Sequence, residues 1–93
     1  VSRGRLAMPW FAAPDYADTR AAMADRDKLP ADHGTWLASA GQVEGELTRV
    51  GFEVVRVVIE RETFLAWCRE AGTVPDGRAR SQFANAAAGI EGR

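Results

Sequence analysis

Trp36, Ala40, Val43, Leu47 and Val50 recur at spacings of 4, 3, 4 and 3, which lines up one apolar stripe along a helix. Gln42, Glu44, Glu46, Thr48 and Arg49 fall largely off that stripe. Gly51 followed by Phe52 predicts the stop: glycine accepts the left-handed conformation after the last turn, and the next apolar residue folds back onto it. Gly41 and Gly45 each weaken this helix by about 0.8–1 kcal/mol relative to Ala. Their spacing suits close packing against a neighbouring backbone or serves no role.

The pattern then switches from helical spacing to alternation. Val54 to Ile59 reads as a β-strand, with Val55, Val57 and Ile59 on a core face and Val54, Arg56 and Val58 on a mixed one. A third helix follows over about Glu62–Ala71, turning Phe64, Leu65, Cys68 and Ala71 inward, and Gly72 caps it. Pro75-Asp76-Gly77 is a turn in which Asp76 suits the N-cap of a last helix, about Gly77–Ala87, with Ala79, Phe83 and Ala86 on its apolar face. Upstream, Pro9-Trp-Phe-Ala-Ala-Pro14 leads into a short helix over about Asp15–Ala24, with Tyr16 and Met23 facing inward. Asp25-Arg26-Asp27-Lys28 and Pro30 end it.

The expected fold is therefore α+β: about four helices, with one main β-strand between the second and third. A lone strand cannot satisfy its own backbone groups. Its completion is expected from pairing in an oligomer, or from an N-terminal edge strand in which Leu6, Met8 and Trp10 alternate and Pro9 restricts pairing to the edge.

Length sharpens this expectation. The 93 residues end in Ile90-Glu91-Gly92-Arg93, the recognition sequence of the factor Xa protease, so residues 89–93 read as an expression-tag remnant. Met8 suits a native start, which leaves 1–7 as a vector-derived or upstream tail and 8–88 as one small domain. Roughly 80 residues bury only about 60–65% of the unfolded surface, so such a domain gains from association. An apolar fraction of 46% and a charged fraction of 27% are ordinary for a folded soluble protein. No apolar run reaches the ~18 residues of a membrane span. One cysteine makes no internal disulfide, which fits a cytoplasmic protein.

Candidate chemistry is thin. Cys68 and His33 are the only thiol and imidazole, and they lie on different elements. Cys68 reads as a small hydrophobe on an inward helix face, and His33 as a helix-start residue. Zinc needs three or four ligands, and Asp25, Asp27 and Asp32 lack the order of a calcium loop. No phosphate loop occurs, and the tryptophans at 10, 36 and 67 read as core or interface anchors. No catalytic, metal or cofactor-binding residue is expected, and the chain reads as a non-enzyme. Arg78 and Arg80, near the start of the last helix, are candidates for contacting an anion or for pairing with Asp76 and nearby glutamates.

From residue 53 onward the order strand, helix, turn, helix resembles the ribbon-helix-helix DNA-binding fold, in which two chains pair strands antiparallel and the ribbon enters the major groove. That resemblance implies base readout from Val54, Arg56 and Val58, with Arg56, Arg78 and Arg80 as DNA or anion contacts. Charge opposes it. Net charge is −1, and neither residues 1–48 (five basic, seven acidic) nor 49–93 (seven basic, six acidic) carries the basic excess expected of a non-specific nucleic-acid binder. The pattern Phe64-Leu-Ala-Trp-Cys68, Gly72, Pro75-Asp-Gly-Arg-Ala-Arg80 and Phe83-Ala-Asn85 also resembles small uncharacterised bacterial proteins, some carried on mobile elements. That resemblance implies no activity. The reading is a homodimer or partner-binding protein whose interface strand presents Val54, Arg56 and Val58, with DNA regulation as the alternative and no membrane contact.

Overall fold

A computed structural model of the chain describes residues 3–90. Within it lie β1 (Gly4–Trp10), α1 (Tyr16–Ala21), a 3-10 turn (Arg26–Lys28), α2 (His33–Arg49), β2 (Phe52–Val58), α3 (Arg61–Ala71) and α4 (Gly77–Ala87). The fold is α+β, with four helices and a two-stranded parallel sheet among the described residues. Val1-Ser2 and Glu91-Gly92-Arg93, within the expected tail and tag, lie outside the described residues. Gly4–Ala7 of the expected tail form the first half of β1.

The sheet corrects the expectation of one main strand. β1 and β2 are equal in length and pair in parallel from Gly4↔Phe52 to Trp10↔Val58. β2 also begins two residues earlier than the valine run suggests, because Phe52 and Glu53 already sit opposite β1. A parallel pair needs a long crossover, and α1, the 3-10 turn and α2 provide it.

Ile59, just past β2, donates its N–H to the Trp10 carbonyl at 2.8 Å. In a parallel ladder the residues on one strand turn both backbone groups alternately toward and away from the neighbour. Carried back along the register, that bond turns Val57, Val55 and Glu53 toward β1. Phe52, Val54, Arg56 and Val58 then face the outer edge of β2. On β1 the outward set is Arg5, Ala7 and Pro9, so the missing N–H of Pro9 falls where no ladder bond is needed. This is why the proline does not break the strand.

The same register sorts the side chains. Leu6, Met8 and Trp10 share a face with Val54, Arg56 and Val58, while Arg5 and Glu53 meet on the opposite face in an exposed ion pair at 3.3 Å. α2 lies on the first face: Trp36 meets Trp10 edge-on at 5.1 Å, and Glu44 reaches Arg56. Trp36 and Ala40 are buried and Leu47 is half-buried, but Val43 and Val50 of the expected stripe are 47% and 50% exposed. The helix is turned so that Glu44, expected on the outside, meets the strand. The inward face is anchored by Trp36, packed on Trp10, Phe11 and Tyr16, and the hydrogen bonds from Arg56 accommodate Glu44 on it.

The core runs from Trp10, Phe11, Tyr16 and Trp36 through Ile59 to Phe64, Cys68, Ala79 and Phe83. Tyr16 and Met23 are both buried as expected, although α1 ends at Ala21 and Met23 lies beyond it. The Tyr16 hydroxyl donates to the Pro30 carbonyl, which ties the start of α1 to the segment just before α2. Asp32 caps α2 through the Thr35 N–H at 2.9 Å, and Asp76 caps α4 through the Ala79 N–H at 2.9 Å. On α4 the buried set is Ala79, Arg80, Phe83 and Ala84, so the helix turns Arg80 inward and leaves Ala86 exposed.

α3 ends at Gly72, whose φ of 69° is left-handed, with Thr73 N–H returning to the Cys68 carbonyl and Gly72 N–H to the Arg69 carbonyl. This is the Schellman arrangement. No atom lies within 4 Å of where a Cβ at Gly72 would sit, so only backbone strain opposes a side chain there. Gly72→Ala is expected to destabilise the domain by about 1 kcal/mol in urea unfolding, with an unchanged denaturant slope.

Candidate functional site

Among the described residues three surface features stand apart from the packed core: a small acidic cleft beyond the strand ends, an open depression beside the start of α4, and the outer edge of β2. The cleft lies where the C-terminal ends of the parallel strands meet α1 and α3. Its volume is about 210 Å³, and Asp15, Asp18, Glu60, Arg61 and Glu62 help to line it. Ligand pockets usually begin near 300 Å³. Glu60 is already engaged as the N-cap of α3, accepting from the N–H groups of Glu62 and Thr63 at 3.3 and 2.7 Å. Those backbone donors, Thr63 foremost, hold its carboxyl below the usual range. No group of three or more His, Cys, Asp or Glu able to hold a metal ion occurs among the described residues.

Cys68 and His33 have separate surroundings. Cys68 is buried, and burial, helped by the Asp76 charge, pushes its thiol up and away from thiolate. His33 opens α2, and its Nε2–H donates to the Phe11 carbonyl at 2.7 Å. Since a carbonyl only accepts, that bond places a proton on Nε2. The ring also meets Tyr16 and Trp36 at 5.5 and 5.4 Å, so His33 fixes the crossover helix to the end of β1. Of the three tryptophans, Trp10 and Trp36 pack together in the core. Trp67 lies half-buried against Phe64 and Phe83 at 6.5 and 5.7 Å.

The three arginines singled out in sequence have different fates. Arg56 holds Glu44 with Nε and one terminal nitrogen, at 2.6 and 2.8 Å, while its guanidinium lies 3.9 Å over the Trp10 ring. The pair draws the Glu44 carboxyl below its ordinary value, through the hydrogen bond first and the charge second. Arg80 is buried, and both its terminal nitrogens bond to Asp25 at 2.8 Å, rather than to the neighbouring Asp76. The bidentate fork draws Asp25 down, against the opposing effect of burial. Arg78 stays exposed beside Lys28, Asp25 and Asp76 at the rim of an open depression, and takes part in no hydrogen bond or ion pair among the described residues.

The outer edge of β2 carries the other candidates. Val54 is half-buried, Arg56 is exposed apart from its contacts with Glu44 and Trp10, and Val58 is 54% exposed. No backbone group of Phe52–Val58 bonds to any segment other than β1 among the described residues. Val43 and Val50 on α2 add exposed apolar surface to the crossover helix that packs on this strand. The alternation in sequence places Val54, Arg56 and Val58 on one face, as the sheet does, but it does not show that their backbone groups face outward. Only the register with β1 reveals that. No helix among the described residues is long and apolar enough to cross a membrane. Comparison with known proteins adds no relative: no family model matches the chain, and no curated protein or solved structure shows significant similarity.

Proposed function

We propose that this chain is a non-catalytic module that works through protein–protein association, with the outer edge of β2 as its contact surface. One observation carries the reading: an edge of outward backbone donors and acceptors without partners among the described residues, beside an exposed valine at position 58. Such an edge is a ready template for pairing, and proteins that do not use one blunt it with proline, bulges or inward charges. β1 carries Pro9 on its outer edge, and β2 has no counterpart to it. The Arg56 guanidinium does not blunt the β2 edge, because Glu44 and Trp10 hold it over the sheet face.

The DNA-binding alternative has less behind it: of its three arginines, Arg56 and Arg80 each already hold a carboxylate, which leaves only Arg78 available. Light scattering and sedimentation over a concentration series test association directly. The expected result is a mass above that of one chain. Val58→Asp is expected to weaken the assembly by about tenfold or more, since ~1.4 kcal/mol of lost contact is tenfold in affinity. Its thermal unfolding as a monomer should hardly change, because Val58 is exposed there. A strict monomer at every concentration would refute self-association through this edge.

A further inference from the structure

The outer edge of β2 is self-complementary, and this identifies its occupant. Resting on the association reading above, we propose that β2 pairs antiparallel with β2 of a second copy, about a two-fold axis between the two Val55 residues. The product is a four-stranded sheet in the order β1, β2, β2, β1, with an isologous interface.

The argument starts from which backbone groups face outward. These are at Phe52, Val54, Arg56 and Val58, so hydrogen-bonded partners must come from that set on both chains. Full overlap of Phe52–Val58 matches Phe52 with Val58 of the partner subunit, and Val54 with Arg56 of the partner subunit. All four outward residues on each chain then exchange N–H···O bonds. Each exposed Val58 gains an aromatic neighbour, and the stem of each Arg56 lies along a valine while its guanidinium stays on Glu44 and Trp10. On the other face Val55 meets Val55 of the partner subunit, and Glu53 meets Val57 of the partner subunit.

Overlap selects this register over its neighbours. A slide of two residues one way leaves Phe52 outside the strand pairing and sets the two Arg56 stems directly opposite one another. A slide the other way leaves Val58 outside the strand pairing. Only full overlap engages all four outward residues of each strand.

β1 offers no equivalent edge. Its outward residues are Arg5, Ala7 and Pro9, so one of three donors is absent. A second copy added there would bond poorly.

Two measurements test the geometry. The first is oxidative cross-linking of Val55→Cys in a Cys68→Ser background. Residue 55 turns its backbone toward β1, so across the dimer it forms a non-hydrogen-bonded pair with Cα atoms about 4.5 Å apart, within disulfide reach. The expected result is a covalent dimer as the main product, with little from Arg56→Cys, which reports the slid register. The second uses the unmodified chain, so it does not depend on a variant folding. In the dimer the amides of Val54, Arg56 and Val58 should exchange roughly tenfold slower than in dilute monomer, whereas those of Val55 and Val57, bonded to β1, stay protected in both. A dimeric sample in which Val54, Arg56 and Val58 exchange rapidly, or in which Arg56→Cys cross-links and Val55→Cys does not, overturns the proposed pairing and leaves association standing. A chain that stays monomeric at all concentrations overturns both.

Discussion

Phe64→Ala is expected to destabilise the domain by about 4 kcal/mol, as a lower urea midpoint with loss of cooperativity at 37 °C. Phe64 is fully buried, with Trp67 stacked at 6.5 Å and Phe83 edge-on at 5.4 Å. It lies on α3 and Phe83 on α4, so the ring joins the two C-terminal helices. Truncation removes the transfer free energy of the ring and leaves a cavity that two large aromatics cannot collapse to fill. A domain of this size holds roughly 5–10 kcal/mol in total, so the loss approaches the whole margin. Phe64→Leu keeps most of the volume and is expected to cost about 1–2 kcal/mol. Equal losses for the two variants would show that the aromatic contacts, and not the volume, hold α3 to α4.

Asp25→Asn comes next, with an expected loss of about 3 kcal/mol. The Asp25 and Arg80 side chains are only 18% and 9% exposed, and their bidentate contact joins the crossover segment to α4 across 55 residues of sequence. Removing the carboxylate charge leaves a buried guanidinium with half its partner. Replacing both partners, as Asp25→Leu with Arg80→Met, is expected to recover most of the loss, because a buried pair exchanged for well-packed apolar groups is often near neutral. Urea unfolding of the two single variants and the double variant measures the coupling. The pH dependence follows from Asp25. Its carboxyl lies below the ordinary 3.8 when folded, through the Arg80 hydrogen bonds first. That contribution is complete above the unfolded value near 3.8 and disappears as pH falls through the lower folded value. Acid unfolding of the wild type should therefore include a step below pH 3.8 that is absent from the double variant.

Local signals were legible in the sequence and distant ones were not. Asp76 and Gly72 marked the start of α4 and the end of α3 correctly, because capping depends on residues within one turn. The valine run showed β2 through alternation alone. β1 was harder to recognise because Pro9 argues against a strand, and only the pairing partner decides whether its nitrogen faces the ladder or solvent. The rotation of α2 was hidden for a related reason. The stripe through Val43 and Val50 is the better apolar match, yet the helix face that packs inward runs through Trp36, Ala40, Glu44 and Leu47 and leaves both valines outside. Arg80 looked like a surface cation beside Asp76, and nothing within its own helix announces a partner as far off as Asp25. Val54, Arg56 and Val58 share one face in the sequence alternation, as they do in the sheet. Their hydrogen-bonding direction depends on register, which is a property of two segments together.

Pro9 has a consequence beyond the folding of β1. A protomer with two usable edges can add copies without end, and repeated strand addition is how fibres grow. With its nitrogen on the outer side of β1, Pro9 removes one of the three outward donors there. In the proposed pairing, occupation of β2 therefore leaves no equivalent edge to recruit a third chain, and growth through the sheet would terminate at the pair.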